Sequence, residues 1–475
     1  MSVTRPVGPE NLFFEQLLTR YPERCATVTP DGQRVSYERF FASIKSFTAK
    51  LRSLGIGRGT VVAPFHENPS LFLALAYALL RTGATVACVP SPDRATADGL
   101  LIQFAITLPD RPARSVSNLV FDQSWFSSTG DGAAGSDGAL IFTSSGTTGN
   151  TKYYLCQPSL VKSWHGVRTS FFGSEPRDKL SLLPVFSGFG LYLAMDSAVK
   201  GGGIFWPKAS PAETLASIQD EAPLDLWCTP SSLSDLVVAA KANPGMPRPV
   251  ARIVLGGSPL TKSLAKDAED VFGCEVHNTY GSTEYGPHSA IRVVHSALPL
   301  GHVGKPMPQM SFDVVDEFGV NVTEGEEGRV LVGGPPQSRM TKILIGDEAF
   351  DQQGRFISGD LGYRTPDGDL VLTGRVAELI NSSGSKVAPS RYEEMASRLV
   401  AAGQIAAFGI PNALGSEDVG LAIVSNQPID CAGLSAKMQS LVGDHLKFKV
   451  FQVSELPVNP TGKVDRAALQ KRLAN

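Results

Sequence analysis

Apolar positions recur at helical spacing over residues 12–21, 37–54 and 70–82, and between these stretches stand short apolar runs, Val61-Val62-Ala63-Pro64 and Thr85-Val86-Ala87-Cys88-Val89. A period of 3.6 predicts amphipathic helices, and short runs bounded by turn residues predict buried strands. Their alternation over residues 11–229 is the pattern of layered α/β structure with parallel strands. The rhythm continues through Leu226-Trp227-Cys228 and Arg252-Ile253-Val254-Leu255, each followed by a helical segment.

Beyond Pro306 the period drops to two, as in Phe312-Asp313-Val314-Val315-Asp316 and Arg329-Val330-Leu331-Val332. Asp367-Gly368 sits where a tight hairpin turn belongs, so an antiparallel meander or small barrel is expected over about 306–373. From Glu378 the α/β rhythm returns for about 100 residues, a plausible size for a separate domain. Ser390-Arg391-Tyr392-Glu393 matches a capping box at a helix start there. The expected organisation is therefore α/β: residues 1–377 as a large N-terminal domain of layered α/β sheets plus a small β-barrel, then residues 378–475 as a small α+β C-terminal domain.

Composition narrows the function classes. A chain of 475 residues with 42% hydrophobic content can bury a large core, and a net charge of −3 without a basic stripe gives nucleic-acid binding no electrostatic support. The six cysteines are scattered without Cys-x-x-Cys, which argues against a disulfide framework or a zinc site. The seven histidines show no paired metal-ligand spacing, so a metal would arrive with a nucleotide, and Mg²⁺ is the natural choice. The longest apolar run, residues 71–80, is half of the roughly 20 residues a membrane-spanning helix needs, and the N-terminus lacks an apolar signal core. No membrane span and a cytoplasmic location are expected.

The densest chemistry lies in Thr143-Ser144-Ser145-Gly146-Thr147-Thr148-Gly149-Asn150-Thr151-Lys152, directly after the apolar run Ala139-Leu140-Ile141-Phe142. A buried strand delivers the chain to a turn, glycines admit close approach of backbone N–H groups to an oxyanion, and hydroxyls and an ammonium complete a phosphate cradle. ATP is the expected ligand. The spacing is not that of a Walker A loop, because no Gly-Lys-Ser/Thr follows Gly146 at the required distance, and Gly-x-Gly-x-x-Gly is absent.

Further motifs follow in order: Asn278-Thr279-Tyr280-Gly281-Ser282-Thr283-Glu284, Ser358-Gly359-Asp360, Gly374-Arg375, the segment from Gly384 to Pro389, and Pro460-Thr461-Gly462-Lys463. Together with the phosphate loop they resemble the adenylate-forming superfamily, which contains acyl-CoA synthetases, nonribosomal-peptide adenylation domains and luciferases. The resemblance spans essentially the whole chain. It implies that Thr143, Ser144, Ser145, Gly146, Thr147, Thr148, Gly149, Lys152, Tyr280, Gly281, Asp360 and Arg375 bind ATP or AMP, with Tyr280 stacked on adenine and Asp360 and Arg375 on the ribose. It also implies that Thr283 bonds the α-phosphate, that Glu284 holds Mg²⁺, and that Lys463 bridges the attacking carboxylate and the α-phosphate. Glu378 falls at the family's hinge, so residues 378–475 would swing as a mobile lid, withdrawing Lys463 and presenting the segment around Gly384 to the acceptor.

Departures from the pattern bear on substrate. Leu183-Pro184-Val185-Phe186-Ser187-Gly188-Phe189-Gly190 resembles the acyl-pocket motif, with a small residue at 187 where many CoA ligases carry His or a large aromatic. Phe186, Ser187, Phe189 and Gly257 are the expected pocket residues, and Tyr192 is a further candidate. No Asp stands near Ser187 to pair a substrate ammonium, and an unpaired buried charge costs several kcal/mol, so a non-amino carboxylic acid is favoured. Thr151 and Tyr153 replace a common Pro and Gly after the phosphate loop. Asn381 and Arg391 differ from the pattern on the acceptor side. The leading expectation is an ATP-dependent ligase that forms an acyl-adenylate, releases pyrophosphate and hands the acyl group to a thiol, with CoA as co-substrate. Transfer to an amino acid as an amide, or to a free-standing carrier protein, uses the same residues. A non-catalytic nucleotide-binding homologue is a further alternative, against which Glu284, Asp360, Arg375 and Lys463 are all retained.

Overall fold

The computed structural model describes residues 21–475 apart from 66, 131–137, 146–150, 158–159, 161–163, 166–168, 170, 293–298, 300, 337–338, 341, 347–349, 383–384, 401–403, 413–415, 426, 444–445, 460–462 and 475, and side chains for these except 145, 290–292, 382 and 385. Two compact units are present. One comprises Met1–Trp227, Ser282–Pro287 and Gly334–Ala349; the other comprises Cys228–Gly281, His288–Gly333 and Phe350–Asn475.

In the first unit, the helical period over residues 37–54 becomes the helix Tyr37–Ser53, capped by Ser36, whose side chain accepts from Arg39 N. Tyr37, Phe40, Phe41, Ile44, Phe47 and Leu51 fall on its buried face. The next helix, Pro69–Thr82, starts at Asn68 with Pro at its first position and ends at Gly83, φ +84°. It is buried from Phe72 to Arg81 without a break, so the chain's longest apolar run is a core helix. The expected helix over residues 12–21 lies outside the described residues.

The helix Pro69–Thr82 packs on the strands Val61–Pro64 and Thr85–Cys88 of a mostly parallel sheet. Ser117–Val120, Phe104–Thr107, Val61–Pro64, Thr85–Cys88 and Ala139–Ser145 pair in parallel in that spatial order. Thr151–Cys156 and then Lys342–Ile345 add antiparallel strands at one edge. A second sheet region runs in parallel through Cys25–Val28, Ile204–Phe205, Lys179–Ser181 and Leu224–Cys228, with Arg34–Ser36 antiparallel at its edge.

The second unit contains the parallel pair Val250–Gly256 and Glu275–Ser282. It also contains the expected period-two region, a five-stranded antiparallel sheet ordered His302–Gly304, Leu370–Arg375, Phe356–Arg364, Gly328–Gly333, Ser311–Val315. Gly368, at φ +82°, closes the expected hairpin by donating to Thr365 O at 2.9 Å. Further along, Gln404–Pro411, Glu417–Val424 and Phe448–Val453 form a three-stranded sheet, whose core joins Tyr392, Leu421, Met438 and Phe448.

One local expectation is corrected. The helix Pro389–Ser397 begins after Ala388 and has no side-chain cap. Proline at its first position sets the start before Ser390 can act as cap. Ser390 Oγ instead donates to Thr373 O at 3.2 Å, and Glu393 accepts from Ala407 N at 3.0 Å.

Candidate active site

The strand Ala139–Ser145 carries Thr143 and Ser144 out of the first unit's core, and its antiparallel partner returns with Lys152 opposite Ser144 and Tyr154 opposite Phe142. Side chains alternate across a strand, so the adjacent tyrosines part company. Tyr153 turns to the apolar cluster around Ala87 and Ile141, where its hydroxyl donates to Asp98 Oδ2 at 2.9 Å. Tyr154 shares the face of Ser144 and donates to Glu284 Oε1 at 2.6 Å. Lys152 runs its stem against Gly346, where a Cβ would stand 2.8 Å from Lys152 Cγ. Gly146, Thr147, Thr148 and Gly149, and the Ser145 side chain, lie outside the described residues, as does Gly384.

Thr283 and Glu284 occupy a turn between Glu275–Ser282 and Gly286–Arg292. Ser282 Oγ accepts from Tyr285 N at 3.2 Å, and Glu284 O accepts from Met340 N at 2.9 Å. Gly286, at φ +77°, lies so close to the Trp164 ring that no Cβ fits, which fixes where the turn ends. The Glu284 carboxylate is 7% exposed. Ser144 Oγ stands 3.4 Å from Oε1, the same oxygen that Tyr154 holds. Burial, and then the Glu284 charge, push the Tyr154 phenol far above its ordinary range, so it remains a donor.

A second constellation is built wholly within the other unit. Asp360 and Arg375 face each other across the antiparallel strands Phe356–Arg364 and Leu370–Arg375. That register brings Arg375 Nε to Asp360 Oδ1 at 2.9 Å, while Tyr280 donates its hydroxyl to Oδ2 at 2.7 Å. Asp360 N donates to Ser358 Oγ at 3.1 Å, so the Ser-Gly-Asp motif also ties down its own backbone. Arg375 is raised above its ordinary value chiefly by Asp360, and Tyr280 is raised by burial and then by the same carboxylate. The Tyr280 ring meets His288 edge-on at 5.0 Å and Phe312 at 6.1 Å between centroids. Gly281 lies at the end of the same strand, one residue before the chain crosses to the first unit.

Lys463 is placed by a short bridged segment in which Val458 pairs with Val464 and Asn459 N donates to Lys463 O at 2.8 Å. A Cβ on Gly257 would lie 3.5 Å from Lys463 Cε, so the structure brings these two expected residues together. Glu378 ends the turn Val376–Glu378 and accepts from Arg466 Nη1 at 3.0 Å; Arg466 Nη2 donates to Glu393 Oε1 at 2.7 Å. Sequence reading missed Tyr154 and Arg466. Tyrosine in an apolar strand reads as core, and each partner is remote in sequence, 130 residues from Tyr154 and 88 from Arg466.

The expected acyl segment is locally structural as well. Ser187 caps the helix Gly188–Lys200, accepting from Gly190 N at 3.0 Å and donating to Pro184 O at 2.7 Å. Phe186 is buried, and Phe189 meets Trp227 edge-on at 5.9 Å. Farther along that helix, Asp196 is already met by His165 Nδ1 at 2.7 Å and Lys200 Nζ at 3.6 Å.

Among the described residues no group of three or more His, Cys, Asp or Glu could hold a metal. The arrangement around Glu284 fits a hard cation bound by one carboxylate, phosphate oxygens and water, the usual mode for Mg²⁺, rather than an all-protein cage. No helix among the described residues is long and apolar enough to cross a membrane. All six cysteines are free.

A mixed α/β fold that carries these motifs in order fits the acyl-adenylate-forming class of ligases. The model of the AMP-binding enzyme family matches residues 14–100 and 103–341. The chain belongs to that family, within the adenylate-forming superfamily, and is an acid-thiol or acid-amine ligase. It is 26% identical over 512 residues to the salicyl-AMP ligase / salicyl-S-ArCP synthetase of Mycobacterium tuberculosis (strain ATCC 25618 / H37Rv), covering 96% of this chain and 89% of that relative. An oxalate–CoA ligase of Arabidopsis thaliana is 25% identical over 507 residues, covering 95% and 96% of the two chains. The solved o-succinylbenzoate CoA synthetase (MenE) of Bacillus subtilis, in complex with its acyl-adenylate intermediate OSB-AMP, shares the fold. It has a TM-score of 0.82 at 20% identity, over 96% of this chain and 97% of the other.

Proposed function

We propose that this ligase activates a non-amino carboxylic acid with Mg-ATP and passes the acyl group to a thiol, with CoA as the acceptor. The observation that carries the reading is the seating of the Lys463 side chain over Gly257, two residues drawn from stretches more than two hundred positions apart. In the first half-reaction a carboxylate oxygen bonds to the α-phosphorus while the bond to the pyrophosphate oxygen breaks. The Lys463 ammonium would donate to the attacking carboxylate and to the α-phosphate as charge builds there. Thr283 would donate to an α-phosphate oxygen, and Mg²⁺ held by Glu284 would neutralise phosphate charge. Thr143, Ser144, Ser145, Lys152 and the residues 146–149 are assigned to the phosphates, and Asp360 and Arg375 to the ribose. In the second half-reaction a thiolate attacks the acyl carbon and AMP departs. Residues 378–475 would move about Glu378 between the two steps.

The preference for an acid without an α-amine is supported by Asp196. It is the buried acid on the helix that follows Phe186 and Ser187, and His165 and Lys200 already meet its charge. A substrate ammonium beside Phe186 and Ser187 would then find no unengaged acid on that helix as counter-ion, at a cost of several kcal/mol. Transfer to a carrier protein is the second reading, favoured by the name of the mycobacterial relative that spans nearly the whole chain.

The deciding experiment incubates the protein, and a Lys463→Ala control, with Mg-ATP, pooled aliphatic, aryl and cyclic acids, CoA, mixed amino acids and a phosphopantetheinylated carrier protein. Mass spectrometry identifies the products. An acyl-CoA formed by the wild type and lost in the control is expected. An acyl-carrier or acyl-amino-acid product replaces the acceptor, and absence of any acyl-AMP overturns the adenylation reading.

A further inference from the structure

We propose that Tyr154 is a positioning residue that makes Glu284 a one-oxygen ligand and thereby favours Mg²⁺ over Ca²⁺; this rests on Glu284 being the metal-holding carboxylate. Both donors found on this carboxylate meet the same atom: Tyr154 Oη lies 2.6 Å and Ser144 Oγ 3.4 Å from Oε1. Among the described residues no hydrogen bond reaches Oε2. The hydroxyls also stand 3.3 Å from each other, so they form one small donor cluster on one side of the carboxylate.

The clamp is stiff at both ends. Tyr154 is fully buried on a strand paired through Phe142, and the Glu284 backbone is tied to Met340 N at 2.9 Å. The carboxylate therefore cannot turn without giving up its shorter, charge-assisted bond. With Oε1 occupied, Oε2 is left to ligate. Mg²⁺ takes small octahedral sites and usually binds carboxylates through one oxygen, whereas Ca²⁺ accepts more ligands and readily uses both oxygens of one carboxylate. A hydroxyl bound to Oε1 opposes the two-oxygen mode and so acts against the larger ion. Tyr153 and Tyr154 are chemically alike, and only strand alternation gives this task to the second.

The test measures binding rather than turnover. Calorimetric titration of the full chain with ATP in Mg²⁺ and in Ca²⁺, without an acid, gives a Mg/Ca preference for each variant. Tyr154→Phe removes only the hydroxyl and is expected to lower that preference about fivefold, the size of effect expected for one hydrogen bond, mainly through tighter binding in Ca²⁺. Glu284→Asp, too short to keep both contacts, is expected to lower it as well, and serves if Tyr154→Phe does not fold. An unchanged preference in folded Tyr154→Phe, with the preference abolished in Glu284→Gln, overturns the role of Tyr154 alone. A wild-type preference in Glu284→Gln overturns the metal-ligand reading and this inference with it.

Discussion

At the scale of single residues, Asp360 concentrates the most consequence. Its two oxygens are held by Tyr280 and Arg375, and a carboxylate has acceptor capacity left for further hydroxyls. Asp360→Asn keeps the shape but removes the charge facing Arg375. ATP affinity should fall at least about tenfold, with a stability loss of about 1–2 kcal/mol, read by calorimetry and urea denaturation. His288 makes a separate prediction. Burial lowers its imidazole from an ordinary value of 6.5 to about 3. The unfolded chain then binds the proton more readily, so this stabilisation is complete above pH 6.5 and is lost as pH falls toward 3. Denaturation midpoints measured from pH 7 down to about pH 4 should fall less steeply in His288→Gln than in the wild type. Asp360 and Arg375 were legible as short motifs because their chemistry sits in adjacent, distinctive residues. Tyr154 was not, because its role depends on which strand face it occupies and on a partner across the unit.

Elements show the same division. The helices over residues 37–54 and 70–82 and the turn at Asp367-Gly368 could be read directly, since a period and a cap fix them locally. The start of the helix Pro389–Ser397 could not. Ser390 and Glu393 have the right spacing for a capping box, yet tertiary partners at Thr373, Ala407 and Arg466 take both side chains. The helix Gly188–Lys200 gives the sharpest tests. Ser187→Ala should cost about 1 kcal/mol through the lost cap, read as a shift in urea midpoint with an unchanged slope. Gly190→Ala should cost more, because its Cβ would drive into the backbone carbonyl of Pro184, which cannot swing aside as a side chain can. If the two variants lose equal stability, the close approach at Gly190 is not limiting.

For the whole molecule, the class and the α/β arrangement were readable because six motifs kept their order along the chain. The partition into units was not, since each unit is assembled from separated stretches. Arg466, three residues beyond Lys463, bonds both Glu378 and Glu393. If residues 378–475 turn about Glu378, Glu378→Gln should alter acceptor transfer more than adenylation, measured as thioester formation against ATP–pyrophosphate exchange. Equal effects on both would remove Glu378 from the hinge. The chain passes between the units at 227/228, 281/282, 287/288, 333/334 and 349/350, the second crossing separating Tyr280 from Glu284. Gene fragments exchanged between relatives therefore carry unequal burdens. A splice placed anywhere from 228 to 349 divides the ancestry of both units at once, whereas one after 349 leaves the whole of the first unit from a single parent. Heredity, like synthesis, runs along the chain, and since a splice before 228 likewise leaves the whole of the second unit from a single parent, residues 1–227 and 350–475 are the stretches of this ligase most open to inheritance from elsewhere.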